Sequence, residues 1–283
     1  MINKLLKILP IKRFRNPDPI VSVLRLHGVI GRAGPIGSSG LSQQSLDKDI
    51  EKAFSINRAC AVALSINSPG GSPVQSSLIA KRIRNLSGEK NIPVFGFVED
   101  VAASGGYWLA CAADEIFADE NSIVGSIGVI SAGFGFVDAL EKLGVERRVH
   151  ASGNNKAMLD PFRPEDPKEI KKLLAIQKEI HQNFKNLVSK RRGEKIRVTK
   201  KNLFEGDIWT GRQAEELGLV DGIGDLQTVM RKRFGDKTKF KNINHRQGPI
   251  RRILGGGESH MRERVLLGLD IIEEWSVWKR FGL

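Results

Sequence analysis

"IPVFGFVEDVAASGG", residues 92–106, changes character halfway along. "IPVFGFVE" (92–99) is apolar at consecutive positions, the pattern of a strand covered on both faces rather than one. The second half sets Ser104 among alanines and glycines, where a helix is expected to begin. The same plan appears upstream. "CAVALSI" (60–66) is a continuous apolar run that stops at "NSPGGS" (67–72), and "VQSSLIAKRIRNL" (74–86) comes next with helical spacing. Buried strand, glycine-rich loop and helix, used twice, is the signature of a parallel sheet wrapped by helices.

Other segments extend the pattern. "IVSVLRLHG" (20–28), "EIFAD" (115–119) and "VERRVH" (145–150) read as strands, and "SLDKDIEKAF" (45–54) and "FVDALEKLG" (136–144) as helices. Residues 167–192 read as one long helix opening on Pro167, a position where proline is tolerated. "TGRQAEELG" (210–218) is a capped helix ending on glycine. There is no internal repeat. The expected organisation is a basic amphipathic segment (1–19), one α/β domain (20–235), and a basic tail with an amphipathic helix (236–283).

The formal net charge of +13 is unevenly placed. Residues 1–20 hold five Lys/Arg against one Asp, and residues 227–283 hold thirteen against six Asp/Glu, so the body carries only +2. A nucleic-acid domain concentrates basic charge on its body, so no nucleic-acid partner is expected. Basic ends beside short apolar runs suit peripheral contact with an anionic membrane surface. These runs are Ile2, Leu5, Leu6, Ile8 and Leu9 at one end, and Val265, Leu266, Leu269 and Ile272 at the other. No stretch reaches the roughly 20 apolar residues of a membrane span, and the beginning is a poor secretory signal. The two cysteines, Cys60 and Cys111, form neither a disulfide framework nor a metal site, so no metal or cofactor is expected and a reducing compartment is. These points together predict a cytoplasmic protein, peripheral on the inner membrane at most.

The two glycine-rich loops lie at the carboxyl ends of their strands, where open parallel sheets place their sites. Small neighbours let a substrate backbone approach the Ser104 hydroxyl. The free N–H of Gly105 is a natural donor to a developing oxyanion, and Gly70 and Gly71 can turn a second N–H to the same point. Taken by itself, Ala-Ser-Gly-Gly is more often the pattern of an ordinary helix cap than of a nucleophile.

The ordered set "INSPGG", "DVAASGGYWLACAADEIFA", "VGSIGV", "GNNKAMLDPFRP" and "WTGRQAEELGLVD" resembles the signal peptide peptidase A (protease IV) family of serine peptidases over about residues 20–230. The resemblance implies the ClpP/crotonase fold. It also implies Ser104 as nucleophile, Lys156 as general base, Ser126 as a residue holding that lysine, and Gly71 as an oxyanion-hole amide beside Gly105. It further implies peptide substrates with small or apolar side chains, and a homo-oligomeric ring or dome with inward-facing sites. A serine–lysine pair needs a neutral amine, hence a lysine whose pKa of about 10.4 is depressed by an apolar setting. The "KAMLD" segment is less polar than the family pattern, and the family's usual anchor or export signal has no counterpart in this sequence. A Ser-His-Asp arrangement would draw on His150 and Asp160. A crotonase-type acyl-CoA enzyme would need carboxylates, with Glu99 and Asp100 the nearest. A catalytically silent membrane scaffold would use the two amphipathic ends.

Overall fold

The computed structural model describes residues 18–31, 40–197, 203–243 and 278–281. Both amphipathic ends expected from sequence fall almost wholly outside these residues.

The fold grows from three long parallel strands, β1 (Ile20–His27), β2 (Ala59–Ser68) and β3 (Val94–Ala103). Each connection between them carries a helix, α1 (Gln43–Phe54) and α2 (Pro73–Lys90). Ser42 starts α1 with a capping box, and Asn91, in the left-handed conformation, ends α2. After β3 come α3 (Gly105–Ala110), β4 (Glu115–Ala118) and β5 (Ile123–Gly125). Next come the short α4 (Val137–Lys142) and the long α5 (Pro167–Arg192), then β6 (Ile208–Thr210), α6 (Gly211–Leu217), β7 (Gly222–Ile223), α7 (Leu226–Phe234) and β8 (Lys239–Ile243). The sheet runs β6-β5-β3-β2-β1-β8, with β4 and β7 branching from β3. Among the described residues only the β5–β6 pairing is antiparallel. The result is the α/β architecture expected. The sheet extends past the 235 boundary read from sequence, because β8 pairs in parallel with β1.

The two faces of the sheet are covered unequally. On one, Leu24, Leu26, Leu64, Ile66 and Val98 pack under α1, α2, α3, α5 and α6 in the main core. On the other, Val21, Val23, Ala61, Ala63, Phe95 and Phe97 pack under α7 through Met230 and Phe234. That helix covers only the first half of the strands. Beyond it, the same face turns polar and open, with Arg25 and His27 exposed on a central strand. The consecutive apolar runs of β2 and β3 therefore belong to the part buried on both sides.

"VERRVH" (145–150) is not a strand. It is exposed chain without sheet partners, part of an arm over residues 129–166 that stands off the body. The edge of β5, the strand that precedes this segment, is taken by β6. The arm is tied together locally. Arg147 stacks on Phe162 at 4.5 Å and pairs with Asp160, and Phe136 stacks on Phe162 with Phe134 tilted against it. Helix α5, about 39 Å long at 1.5 Å per residue, carries the arm into the body. Its only buried residues, Phe184, Val188 and Arg192, lie at four-residue spacing in its second half. At its end the buried Arg192 guanidinium bonds Asp221 at 2.6 Å and the Gly218 carbonyl at 2.8 Å.

Candidate active site

Ser104 occupies the junction between β3 and α3, with φ 51° and ψ −119°. A non-glycine residue held in that region costs about 1–3 kcal/mol and persists only where its surroundings fix it. Here they do. Its N–H donates to the Gly125 carbonyl at 2.8 Å, and Gly70 packs so closely that a Cβ added there would sit 2.8 Å from the Ser104 Cβ. The sequence left open whether this serine merely caps the helix. It stands at the cap position, but its side chain makes no cap hydrogen bond. Among the described residues the hydroxyl makes no hydrogen bond that would commit it to a structural role.

The two glycine-rich loops meet at this serine. A Cβ on Gly105 would come within 2.5 Å of Ser76 Oγ and 3.3 Å of the Gly71 nitrogen. One on Gly71 would strike the Ile30 carbonyl oxygen at 2.0 Å, and one on Gly106 the Ser68 carbonyl oxygen at 2.3 Å. Only bare backbone fits here, and the close fit sets the N–H groups of Gly71 and Gly105 side by side. Neither N–H has a backbone partner among the described residues. Two unpaired amides next to an uncommitted hydroxyl are the parts needed to hold a tetrahedral oxyanion.

A small cavity opens at this point, lined by Gly71, Pro73, Ser104, Gly105, Trp108, Gly128, Val129, Ile180 and Phe184. Apart from the serine its walls are apolar or glycine. Trp108 and Phe184 face one another with ring centroids 4.8 Å apart.

The structure brings Ser104, Gly71 and Gly105 together. It places the other two residues differently. Ser126 lies just after β5, half-buried with φ 51°, its N–H donating to the Asp207 carbonyl at 2.7 Å. Lys156 is exposed on the arm, its backbone closing a turn with the Gly153 carbonyl at 3.0 Å. Neither lines the cavity around Ser104.

The rival groups lie outside the cavity. His150 is exposed on the arm, and Asp160 bonds Arg147 and the Phe162 N–H. His181 on α5 bonds the Ile127 carbonyl at 3.1 Å, and His27 lies 2.6 Å from Ser65 Oγ. No described histidine lines the cavity. Glu99 and Asp100 accept hydrogen bonds from Ser65 and Asn67 and do not line it either. Cys111 is no competing nucleophile, because burial pushes its thiol up to about 12. Sequence reasoning missed the cavity walls contributed by α5. Ile180 and Phe184 sit in a helix whose composition is that of a solvated surface, and only the packing shows which face turns inward.

Comparison with known proteins bears on the whole chain. Over 288 aligned residues it is 49% identical to a Na(+)/H(+) antiporter NhaA of Brucella abortus, a match covering 99% of this chain but 39% of that protein. The corresponding Brucella melitensis protein gives the same figures. This chain thus spans well under two thirds of those relatives, and the antiporter name describes the longer proteins. Among the described residues no helix is long and apolar enough to cross a membrane. A protein of Enterococcus faecium, provisionally named signal peptide peptidase SppA, is 34% identical over 80% of this chain and 67% of its own length. The chloroplastic serine protease SPPA of Arabidopsis thaliana is 31% identical over 74% of this chain and 31% of its own. The description of Peptidase family S49 matches residues 87–238, a span that contains Ser104, Ser126 and Lys156. Family, fold and the order of the site segments agree: the chain belongs to peptidase family S49, with its ClpP/crotonase-like fold.

Proposed function

We propose that this chain is a serine peptidase that cleaves unfolded or membrane-derived peptides, signal peptide remnants among them, at small or apolar side chains. The observation that carries the reading is the pairing of an uncommitted, strained Ser104 hydroxyl with the adjacent N–H groups of Gly71 and Gly105. Ser104 Oγ attacks the scissile carbonyl, and the two amides hold the oxyanion. The apolar walls Pro73, Trp108, Val129, Ile180 and Phe184 receive the neighbouring side chain.

Lys156, as the neutral amine, takes the serine proton and returns it to the leaving nitrogen, with Ser126 orienting it. Its exposed place on the arm supports a base delivered on assembly rather than within one copy. The exposed apolar residues Ile130, Phe134, Leu143, Val145 and Val149 on the same arm favour a homo-oligomer that buries them. Within such an assembly Lys156 would lie in drier, more apolar surroundings. The basic ends would hold the assembly to an anionic membrane surface, on the cytoplasmic side.

The test is peptide hydrolysis and labelling by a fluorophosphonate probe, with wild type beside Ser104→Ala. Wild type should hydrolyse an unfolded casein and take one label at Ser104. The variant should do neither while keeping its thermal midpoint. Wild-type turnover in Ser104→Ala would overturn the assignment.

A further inference from the structure

Strands β2 and β3 fall out of register immediately before the site. Ile66 pairs with Val98 and Ser68 with Ala102, so Asn67 alone stands opposite Glu99, Asp100 and Val101. The extra length on β3 is a bulge of the bent kind, uncommon between parallel strands and known to re-aim the chain beyond it. Three observations show that it is held rather than merely tolerated. Asn67 Nδ2 donates to Asp100 Oδ2 at 2.5 Å across the break. Ser65 Oγ donates to Glu99 Oε1 at 2.6 Å, and with its one proton so used it accepts from the Nε2–H of His27, 2.6 Å away on β1. Beneath them the buried Ser122 hydroxyl donates to the Glu99 carbonyl at 2.5 Å. Beyond the bulge β3 also changes neighbour, from β4 at Phe95–Val98 to β5 at Val101–Ala103.

These contacts lie on the open half of the sheet, where α7 no longer covers the strands. On this open face no core packing fixes the geometry, so polar contacts must, while Val98, Val101 and Ala102 stay buried. They fix the exit direction of both strands. One residue after Asn67, Ser68 begins the turn to Gly70 and Gly71, and four residues after Asp100 stands Ser104.

The geometry points to Asn67 and Asp100, backed by Ser65, Glu99 and His27, as a positioning clamp that sets the Ser104 hydroxyl against the Gly71 amide. They touch no reacting atom and act through the two loops. The inference rests on the reading of Ser104 as nucleophile. A misplacement of about 1 Å at a reacting centre can cost up to a hundredfold in rate, so loosening this break should reduce turnover far more than it reduces stability.

The test measures kcat, KM and the rate of fluorophosphonate labelling at Ser104 in wild type, Asp100→Ala, Asp100→Asn, Asn67→Asp and the exchanged pair Asn67→Asp/Asp100→Asn. Asp100→Ala should lower kcat and the labelling rate by about tenfold or more, with KM and thermal midpoint near wild type. Asp100→Asn keeps an acceptor oxygen and should stay within about threefold of wild type. In the exchanged pair, donor and acceptor trade strands, so its loss should be smaller than that of Asn67→Asp alone. The clamp is overturned if Asp100→Ala labels at the wild-type rate, or if Asp100→Asn is as slow as Asp100→Ala. Ser104→Ala run alongside separates the two claims. Residual turnover in that variant defeats the nucleophile assignment, whereas its silence beside a fully active Asp100→Ala defeats only the clamp.

Discussion

The sheet and its nucleophile loops are built in the opposite manner to the arm that carries Lys156. Around Ser104 every position is over-determined. Glycines abut carbonyl oxygens, a serine is held at φ 51°, and β2 and β3 are tied across a break in register. Residues 129–166 are exposed almost throughout, held by one aromatic stack and a few ion pairs, with large apolar side chains facing outward. One region is finished within a single copy, and the other exposes apolar side chains that the proposed assembly would bury. Oxyanion stabilisation needs donors fixed before substrate arrives, while a proton carrier has only to reach its place in the assembled state. The contrast thus divides the proposed chemistry between a rigid half and a delivered half.

The largest effect should come from breaking the delivered half. Lys156→Arg keeps the charge and the reach, but a guanidinium stays protonated and cannot accept the serine proton. Turnover should fall by about a thousandfold or more, while His150→Ala, on the same arm, should stay near wild type. Co-assembly sharpens the point. Ser104→Ala and Lys156→Ala should each be inactive alone, and if the arm serves a neighbouring copy, mixed assemblies of the two should regain activity. A dead His150→Ala beside an active Lys156→Arg would replace the dyad with a histidine site.

A second break lies where the arm is anchored. Arg192 ends α5 inside the body, bonded to Asp221, which also accepts from Lys195 at 2.8 Å. Burial raises the Asp221 carboxyl, but the hydrogen bonds from Arg192, Lys195 and the Ile116 N–H outweigh it, and the group ends below the usual carboxylate range. A carboxylate with a depressed folded pKa stabilises the fold fully above its unfolded value of about 3.9. That stabilisation is lost as pH falls through the lower folded value. Asp221→Asn leaves Arg192 buried with an uncompensated charge. It should cost about 3–5 kcal/mol at neutral pH, and the gap from wild type should close as acid protonates Asp221. Urea titrations at pH 7 and pH 3 would show this, and an equal loss at both would mean that the carboxylate charge plays no part.

Legibility in the sequence divides along the same line. The buried strands were legible because a strand covered on both faces must be apolar at every position, as "CAVALSI" and "IPVFGFVE" are. The meeting of the two glycine-rich loops was legible because their close packing demands small residues, although Ala-Ser-Gly-Gly by itself did not set a nucleophile apart from a helix cap. The arm was not: "VERRVH" alternates like a strand, but whether a strand forms depends on a free sheet edge, and β6 takes the edge of β5, the strand before it, from a position some sixty residues later. The Asn67–Asp100 contact joins residues 33 apart. It exists only because β3 slips in register, and nothing local to either residue announces it. The cavity face of α5 was hidden for a related reason, since the helix is charged along most of its length and only its second half meets the core.

The smallest effect expected is on selectivity, and it probes where the two halves touch. The cavity beside Ser104 takes Pro73 and Trp108 from the body, and Ile180 and Phe184 from the helix that bears the arm. Each wall limits the side chain that can enter. Ile180→Ala trims the helix wall at a half-buried position, and Trp108→Phe trims the body wall while keeping a ring against Phe184. In a peptide series of rising side-chain size next to the scissile bond, both should shift preference toward the larger members by about tenfold in kcat/KM, the scale of a methylene or two in an apolar pocket. Turnover of the smallest substrate should change little, because neither substitution touches Ser104, Gly71 or Gly105. If only Trp108→Phe shifts the preference, the body alone sets selectivity and α5 is a bystander. If both shift it, α5 has two roles, walling the cavity at one end and holding out the base at the other. Any tilt of that helix on assembly would then change selectivity and proton transfer together.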